Sequence, residues 1–552
     1  MSETSEAKTA AAHGFRWWPA PAIVLLGVAV FGLLLLRGEA ALDGDATQLV
    51  FAALGVMAGT LAALLVWWIG FSRLRIRTKA VGLALFAVCG AAAAGSVRIE
   101  QVDGAMRPTK WSFRWQKSAE EKALDAIAAV EQAESAEWTP PVEAAATDWP
   151  RFRGPGGDGV VPAGSVRLDW DARPPEALWR QPVGLGWSSF TVVGGRAFTQ
   201  EQRGDDELVV CYEAETGAQV WAHTTADRFS EPVGGDGPRA TPTFDDGVLY
   251  AVGATGRLSA LDPADGKPLW ERDILADAGD GTPLDNNPWA VAASPLVSGG
   301  RVYLPAGNEV AGRVLCYDAT TGEPVWQGGE DPASYATFVT ETFGDVEQLL
   351  VFDGAGLNGF DTADGTSLWH VDFSNQPKVN AIVPVVRDGR VFVSSGYGVG
   401  SALFDVTYAD DGWRAEPVWA TSNRFKLKFN DPVVVGGHIY GLDEGILACV
   451  DFETGKRQWK KGRFGYGQML LVEDDKLLVL AEDGVVHLIE ATPEKFVELA
   501  SFPAIEGKTW NHPAVADGLL FVRNSEEAAC YDLRPARSAD DDTPTGEVAS
   551  AR

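Results

Sequence analysis

Histidine, cysteine and methionine are scarce in this chain of 552 residues, which holds six, five and four of them. The histidines, at 13, 223, 370, 438, 487 and 512, form no His-x-x-x-His pair, and no Cys-x-x-Cys occurs, so the spacings that build zinc sites are missing. No Walker loop and no Gly-x-Ser-x-Gly elbow is present, which removes the P-loop NTPases and the elbow-type serine hydrolases. Asp353-Gly354-Ala355-Gly356 reads as a strand end and turn rather than a nucleotide loop. Positive charge is short too: 46 Lys and Arg against 76 Asp and Glu leave a net charge of -30. Binding phosphates needs clustered cations, so a nucleic-acid partner is excluded, and the acidity reads as solvation of a large surface. Four of the five cysteines (211, 316, 449, 530) stand two residues before an acid of the repeat described below, on different blades. Disulfides between them are therefore excluded by distance, and they read as small core residues.

Long apolar runs, by contrast, are concentrated at one end. Trp18 to Leu36, Leu49 to Phe71 and Ala80 to Ser96 each approach the roughly 20 apolar residues that cross a bilayer. A cleaved signal peptide is the competing reading of the first run, but two further runs follow at once and no cleavage site stands out. Arg73, Arg75, Arg77 and Lys79 crowd the second connection without an acid, which places that connection in the cytoplasm. Three spans then put everything downstream on the extracytoplasmic side of the inner membrane; Arg98, Arg107, Lys110 and Arg114 after the third span pull the other way. The expected organisation is a cytoplasmic N-terminus (1–17), a three-helix membrane anchor (18–97), a linker (98–147) whose Ala- and Glu-rich part is a short helix or a tether, a β domain (148–533) and a disordered acidic tail (534–552).

The β domain is a repeat. Its unit is an apolar strand ending in an acid, with Gly four residues and Trp eight residues after that acid. Five copies keep all three: Glu213/Gly217/Trp221, Asp262/Gly266/Trp270, Asp318/Gly322/Trp326, Asp361/Gly365/Trp369 and Asp451/Gly455/Trp459. Weaker copies lie at Asp405, where Trp413 or Trp419 could take the tryptophan position, at Glu490 and at Asp532. Spacings of 39 to 56 residues between the acids suit one four-stranded blade each. The acid accepts turn N–H groups, glycine allows positive φ, and the tryptophan packs between blades. The last copy ends before its outer strand, and Ala177-Leu178-Trp179-Arg180 supplies one from upstream. The fold expected is therefore all-β, an eight-bladed β-propeller closed by an N-terminal strand and preceded by three transmembrane α-helices.

Each blade should begin with an innermost strand, aligned on the column Ser189, Thr241, Ser294, Thr337, Val383, Asp431, Gln468, His512. One reading of this polar column is small residues facing a water-filled channel. The other is a ligand site at one mouth, formed by Trp187, Arg239, Lys428, Asn430, Asp431, Gln468, Lys508, Trp510, Asn511 and His512, with Tyr335, Phe429 and Tyr466 beside them. Such a cationic, aromatic rim suits a planar anion or an acidic peptide. No catalytic residue and no metal ligand is assigned.

Trp149-Pro150-Arg151-Phe152-Arg153-Gly154-Pro155 with Gly159 resembles the opening signature of bacterial PQQ-binding-like propeller-repeat proteins. Further runs of that kind are Thr199 to Gly204, Gly235 to Pro242, Ser394 to Gly400 and Lys508 to Asn511. Two functions follow from the resemblance. Quinoprotein dehydrogenases oxidise alcohols with PQQ and calcium; the propeller lipoprotein of the outer-membrane assembly machinery binds no quinone and acts as a scaffold. The chain lacks the dehydrogenases' adjacent-cysteine disulfide and c-type haem motif, and Asp431 beside Asn430 is its single candidate base. It lacks the lipoprotein's lipidated cysteine. The leading expectation is a non-enzymatic, membrane-tethered module that binds protein or cell-envelope partners and requires no cofactor. The alternative is a PQQ- and calcium-dependent dehydrogenase that reduces membrane quinone.

Overall fold

A computed structural model describes residues 17–41, 46–102, 107–128, 138–279, 281–409 and 412–535. The chain forms two compact units, Met1–Ser118 and Ala119–Arg552. The first contains helices Pro19–Ala41, Ala46–Val66 and Ile76–Ser96, the second of them continued by a π-helical turn, Trp67–Phe71. All three are long and apolar enough to cross a membrane. The third begins at Ile76 rather than Ala80, which takes Arg77 and Lys79 into its first turn. Val97–Val102 and Pro108–Phe113 follow as a two-stranded hairpin that the sequence reading did not foresee. In the second unit the expected linker helix is Ala119–Ile127. The N-terminal 1–16 and all but the first two residues of the acidic tail lie outside the described residues.

The second unit is an eight-bladed β-propeller of four-stranded antiparallel sheets. Seven blades are consecutive meanders, starting at Thr191, Thr243, Leu296, Val339, Val385, Val433 and Gln468. The eighth takes three strands from Ala514–Asp532 and its outer strand from Glu176–Pro182, with Trp179 opposite Cys530. The first strand of the first blade meets those of the second and eighth, the second blade's meets the third's, and the sixth blade's meets the seventh's.

The repeat is explained by what each piece touches. Asp318 accepts the N–H groups of Thr320 and Thr321, and Asp262, Asp361 and Asp451 hold their turns the same way. The tryptophan donates its indole N–H to the carbonyl just past the acid of the next blade: Trp221 to Pro263, Trp270 to Ala319, Trp326 to Thr362. Its ring lies on that blade's glycine. A Cβ on Gly266, Gly322 or Gly365 would stand 2.5 to 2.6 Å from the ring, so glycine is required for close approach as well as for its positive φ. In the fifth blade Trp419, not Trp413, fills the position, bonding to the Phe452 carbonyl and covering Gly455. Trp413 belongs to a hairpin extension, opposite Tyr408. Trp369 departs from the pattern and donates to Gln348 of its own blade.

Candidate functional site

The polar column serves first as a belt between blades. The Ser189 N–H donates to the Thr241 hydroxyl at 3.0 Å, the Thr241 N–H to Ser294 at 2.9 Å, and the Ser294 N–H to Thr337 at 2.9 Å. Further round, the Val383 N–H donates to the Asp431 carboxylate at 2.7 Å, and the Ser189 hydroxyl to the His512 carbonyl at 2.6 Å. These are hydrogen bonds between separate sheets in a buried place, where each unmade bond would cost about 1–3 kcal/mol. The small polar residues are thereby accounted for in five of the eight blades without any ligand.

Residues that precede the inner strands gather at the rim where the chain enters them. Trp187 and Trp510 lie 5.1 Å apart between ring centroids, Trp510 and Phe429 4.9 Å, Phe429 and Tyr466 5.7 Å. The Lys508 ammonium sits 3.6 Å over Trp510 and 4.7 Å over Trp187, and that of Lys428 sits 4.4 Å over Tyr466. Trp187, Phe429 and Trp510 are half-buried, whereas both lysines are buried beneath them. Two carboxylates missed from sequence complete the group. Glu444 accepts from the Tyr466 hydroxyl at 2.7 Å and faces Lys428 at 3.4 Å and Lys426 at 3.7 Å. Glu482 accepts the Trp510 indole N–H at 2.8 Å. The mouth is thus an aromatic cap over paired charges rather than a bare cationic rim. Both acids sit in hairpins between second and third strands, at Asp443-Glu444-Gly445 and Glu482-Asp483-Gly484. That shared position was the available signal.

Three amides brace this mouth from below. Asn430 donates to the Gly467 carbonyl, Gln468 to those of Phe429 and Trp510 at 3.0 Å each, and Asn511 to that of Ser188 at 2.8 Å. Because their nitrogens are committed to carbonyls, their oxygens are the buried atoms left without a hydrogen-bond partner. Arg239 turns aside: its guanidinium holds the Gly235 and Gly237 carbonyls at 2.8 Å and lies 4.9 Å over Phe229. Burial pulls its pKa down to about 10.

Asp431 and His512 face a different element. The Trp149–Gly159 signature enters the channel from the opposite end and places Arg153, fully buried, across the axis. Its guanidinium donates to the Asp158 and Pro432 carbonyls at 2.6 and 2.7 Å and stands 3.6 Å from Asp431. Phe152 meets the His512 ring edge-on at 5.3 Å. Burial raises the Asp431 carboxyl against the pull of Arg153, while burial and then the Arg153 charge lower His512 to about 3, so the imidazole is neutral throughout the physiological range. Asp431 is a structural partner of the plug, not an exposed base.

These residues do not fit PQQ with calcium. A flat ring held between two indoles needs about 7 Å between their faces, twice an aromatic contact distance, and Trp187 and Trp510 already touch. The carboxylates of the mouth and of the Arg153 contact, Glu444, Glu482 and Asp431, are engaged by Lys, Trp or Arg, and among the described residues no group of three or more His, Cys, Asp or Glu converges as metal ligands.

The family model described as outer membrane protein assembly factor BamB matches residues 163–278 and 205–461. The protein of that name from Burkholderia pseudomallei is 26% identical over 383 residues, covering 65% of this chain and 88% of the relative. That of Moranella endobia is 25% identical over 261 residues, and there the chain spans 61% of the relative's length. Among solved structures, the quinohemoprotein alcohol dehydrogenase ADHIIG of Pseudomonas putida HK5 superposes with a TM-score of 0.52 at 13% identity, over 71% of this chain and 81% of that one, a likeness of fold alone.

Proposed function

Since this chain belongs to the family of the outer membrane protein assembly factor BamB, we propose that it is a membrane-anchored binding and scaffold propeller for protein or cell-envelope partners. Its three apolar helices hold it in the inner membrane, and the propeller works on the extracytoplasmic side. The observation that carries this reading is the cap of Trp187, Phe429 and Trp510, half-exposed aromatics backed by the buried Lys428–Glu444 pair. Rigid aromatics over a desolvated charge pair are the composition of an interface centre. The domain limits 18–97 for the anchor, 98–147 for the linker and 148–533 for the propeller belong to the same proposal.

The test is crosslinking in intact membranes. A photoreactive residue at Phe429 should join the chain to a defined envelope protein, and Trp510→Ala should cut the yield at least tenfold without lowering the melting temperature by more than a few degrees. Equal yield from Trp510→Ala refutes the cap as the contact. A protease added from outside should remove the propeller from the membrane; full protection overturns the orientation.

A further inference from the structure

At the end of the channel opposite the aromatic cap, the signature loop bonds to inner strands through its backbone. Trp149 exchanges two 2.8 Å bonds with Val192 of the first blade, and the Phe244 N–H of the second donates to Pro150 at 2.7 Å. The loop then crosses the axis, where Leu471 of the seventh blade bonds Gly159 and Val161 at 2.8 Å. Val192, Phe244 and Leu471 occupy one register position, three residues after Ser189, Thr241 and Gln468. There the residue faces its neighbour strand as a non-hydrogen-bonded pair, so its N–H and C=O point into the channel.

The same position in the fourth, fifth and sixth blades is Thr340, Val386 and Val434, opposite Leu349, Val391 and Ile439. Among the described residues the loop makes no such bond to these three. Instead they line a cavity of about 610 Å³, closed on its other side by Arg151, Phe152 and Gly156 of the loop. Charges on its wall balance, with Arg151, Arg153 and Arg387 against Asp158, Glu341 and Asp474, and the rest is largely valine, proline and phenylalanine. One arc of the channel is thus filled by an extended stretch of the chain's own backbone, and the adjoining arc offers the same row of donors and acceptors.

The geometry points to a second binding site on this arc, for an extended, uncharged, β-branched segment of a partner polypeptide that adds to the inner strands of the fourth to sixth blades as residues 149–161 add to the first, second and seventh. The class of occupant follows from continuity with the loop's own contacts: recognition is through main-chain bonds, with valine-lined walls for the side chains. The cavity size lies within the ~300–1,000 Å³ of formed ligand sites. The site is separate from the aromatic cap and does not rest on the function proposed for it.

The experiment uses the full chain in detergent with a fluorescent peptide, acetyl-Thr-Val-Thr-Val-Thr-amide, followed by anisotropy. Saturable binding is expected, weakened at least tenfold in Val386→Pro and Val434→Pro. Each of these removes a channel-facing N–H that is not part of the blade's ladder. A twin peptide methylated on alternate backbone nitrogens keeps every side chain and should also lose at least tenfold, which holds the test even where a proline variant fails to fold. Equal binding of the methylated twin, or no saturation up to ~1 mM, overturns the inference.

Discussion

The indole of Trp179 donates to the carbonyl of Ala214 at 2.9 Å and lies over Gly217, so the strand borrowed from upstream joins the eighth blade to the first by the contact that Trp221, Trp270, Trp326 and Trp419 make between other blades. A methyl group on Gly217 would stand 2.7 Å from that ring, at φ +73°. Gly217→Ala should therefore cost about 2–4 kcal/mol, from overpacking and left-handed strain together. Thermal unfolding of the full chain measures it, and an unchanged midpoint would show the junction to be loose.

The Arg153–Asp431 contact yields a second expectation. Both groups are buried, and removing one leaves the other's charge uncompensated. Arg153→Met should destabilise by about 3–5 kcal/mol, and adding Asp431→Asn should recover part of that loss. Denaturant titration of the two variants and the double variant decides it; a double variant as weak as the sum of the singles would mean that the two groups act independently.

Stability should also fall as pH rises from about 4 to 8. Burial raises the carboxyls of Glu207 and Asp353 to about 7 each, chiefly by desolvation. Their folded-state values lie above the unfolded ones, so the folded chain holds protons that the unfolded chain has released. This contribution is fully present below the unfolded values and is lost as pH climbs through 7. Glu207→Gln keeps an acceptor for the Ala254 N–H and removes the buried charge. It should raise stability at pH 8 by about 1–3 kcal/mol and leave pH 4 unchanged. An equal effect at both pH values would rule out titration as the cause.

Tyr466→Phe deletes a hydroxyl that accepts from Lys428 at 2.8 Å and donates to Glu444 at 2.7 Å. A loss of about 1–3 kcal/mol is expected, because buried Lys428 and Glu444 each lose a hydrogen-bond partner. Calorimetric unfolding would expose a smaller effect, which would mean that water replaces the hydroxyl.

The blade count, the closing strand and the roles of acid, glycine and tryptophan were legible because they repeat, and a repeat averages out local ambiguity. The fifth-blade insertion was ambiguous from spacing alone; the register Leu403↔Trp419 decides it. In the site, the grouping of Trp187, Lys428, Lys508 and Trp510 followed from their common position before inner strands. Glu444 and Glu482 were passed over because an acid in an Asp-Glu-Gly or Glu-Asp-Gly hairpin looks like any solvated turn. The plug was invisible for another reason: Arg153 lies 278 residues before Asp431, and no periodicity ties a lone loop to the axis. The hairpin after the third helix was hidden by Arg98, Arg107 and Lys110, which read as a flanking charge cluster.

The closing strand Glu176–Pro182 leaves the ribosome long before its partner Glu527–Asp532 is made. Throughout synthesis it is an open edge awaiting the last part of the domain, and the ring locks only when that part arrives. A chain interrupted before Glu527 has seven complete sheets and no latch. Two such rings held close together share an incentive to trade strands, so completion of the ring and escape from exchange between neighbours depend on the same seven residues.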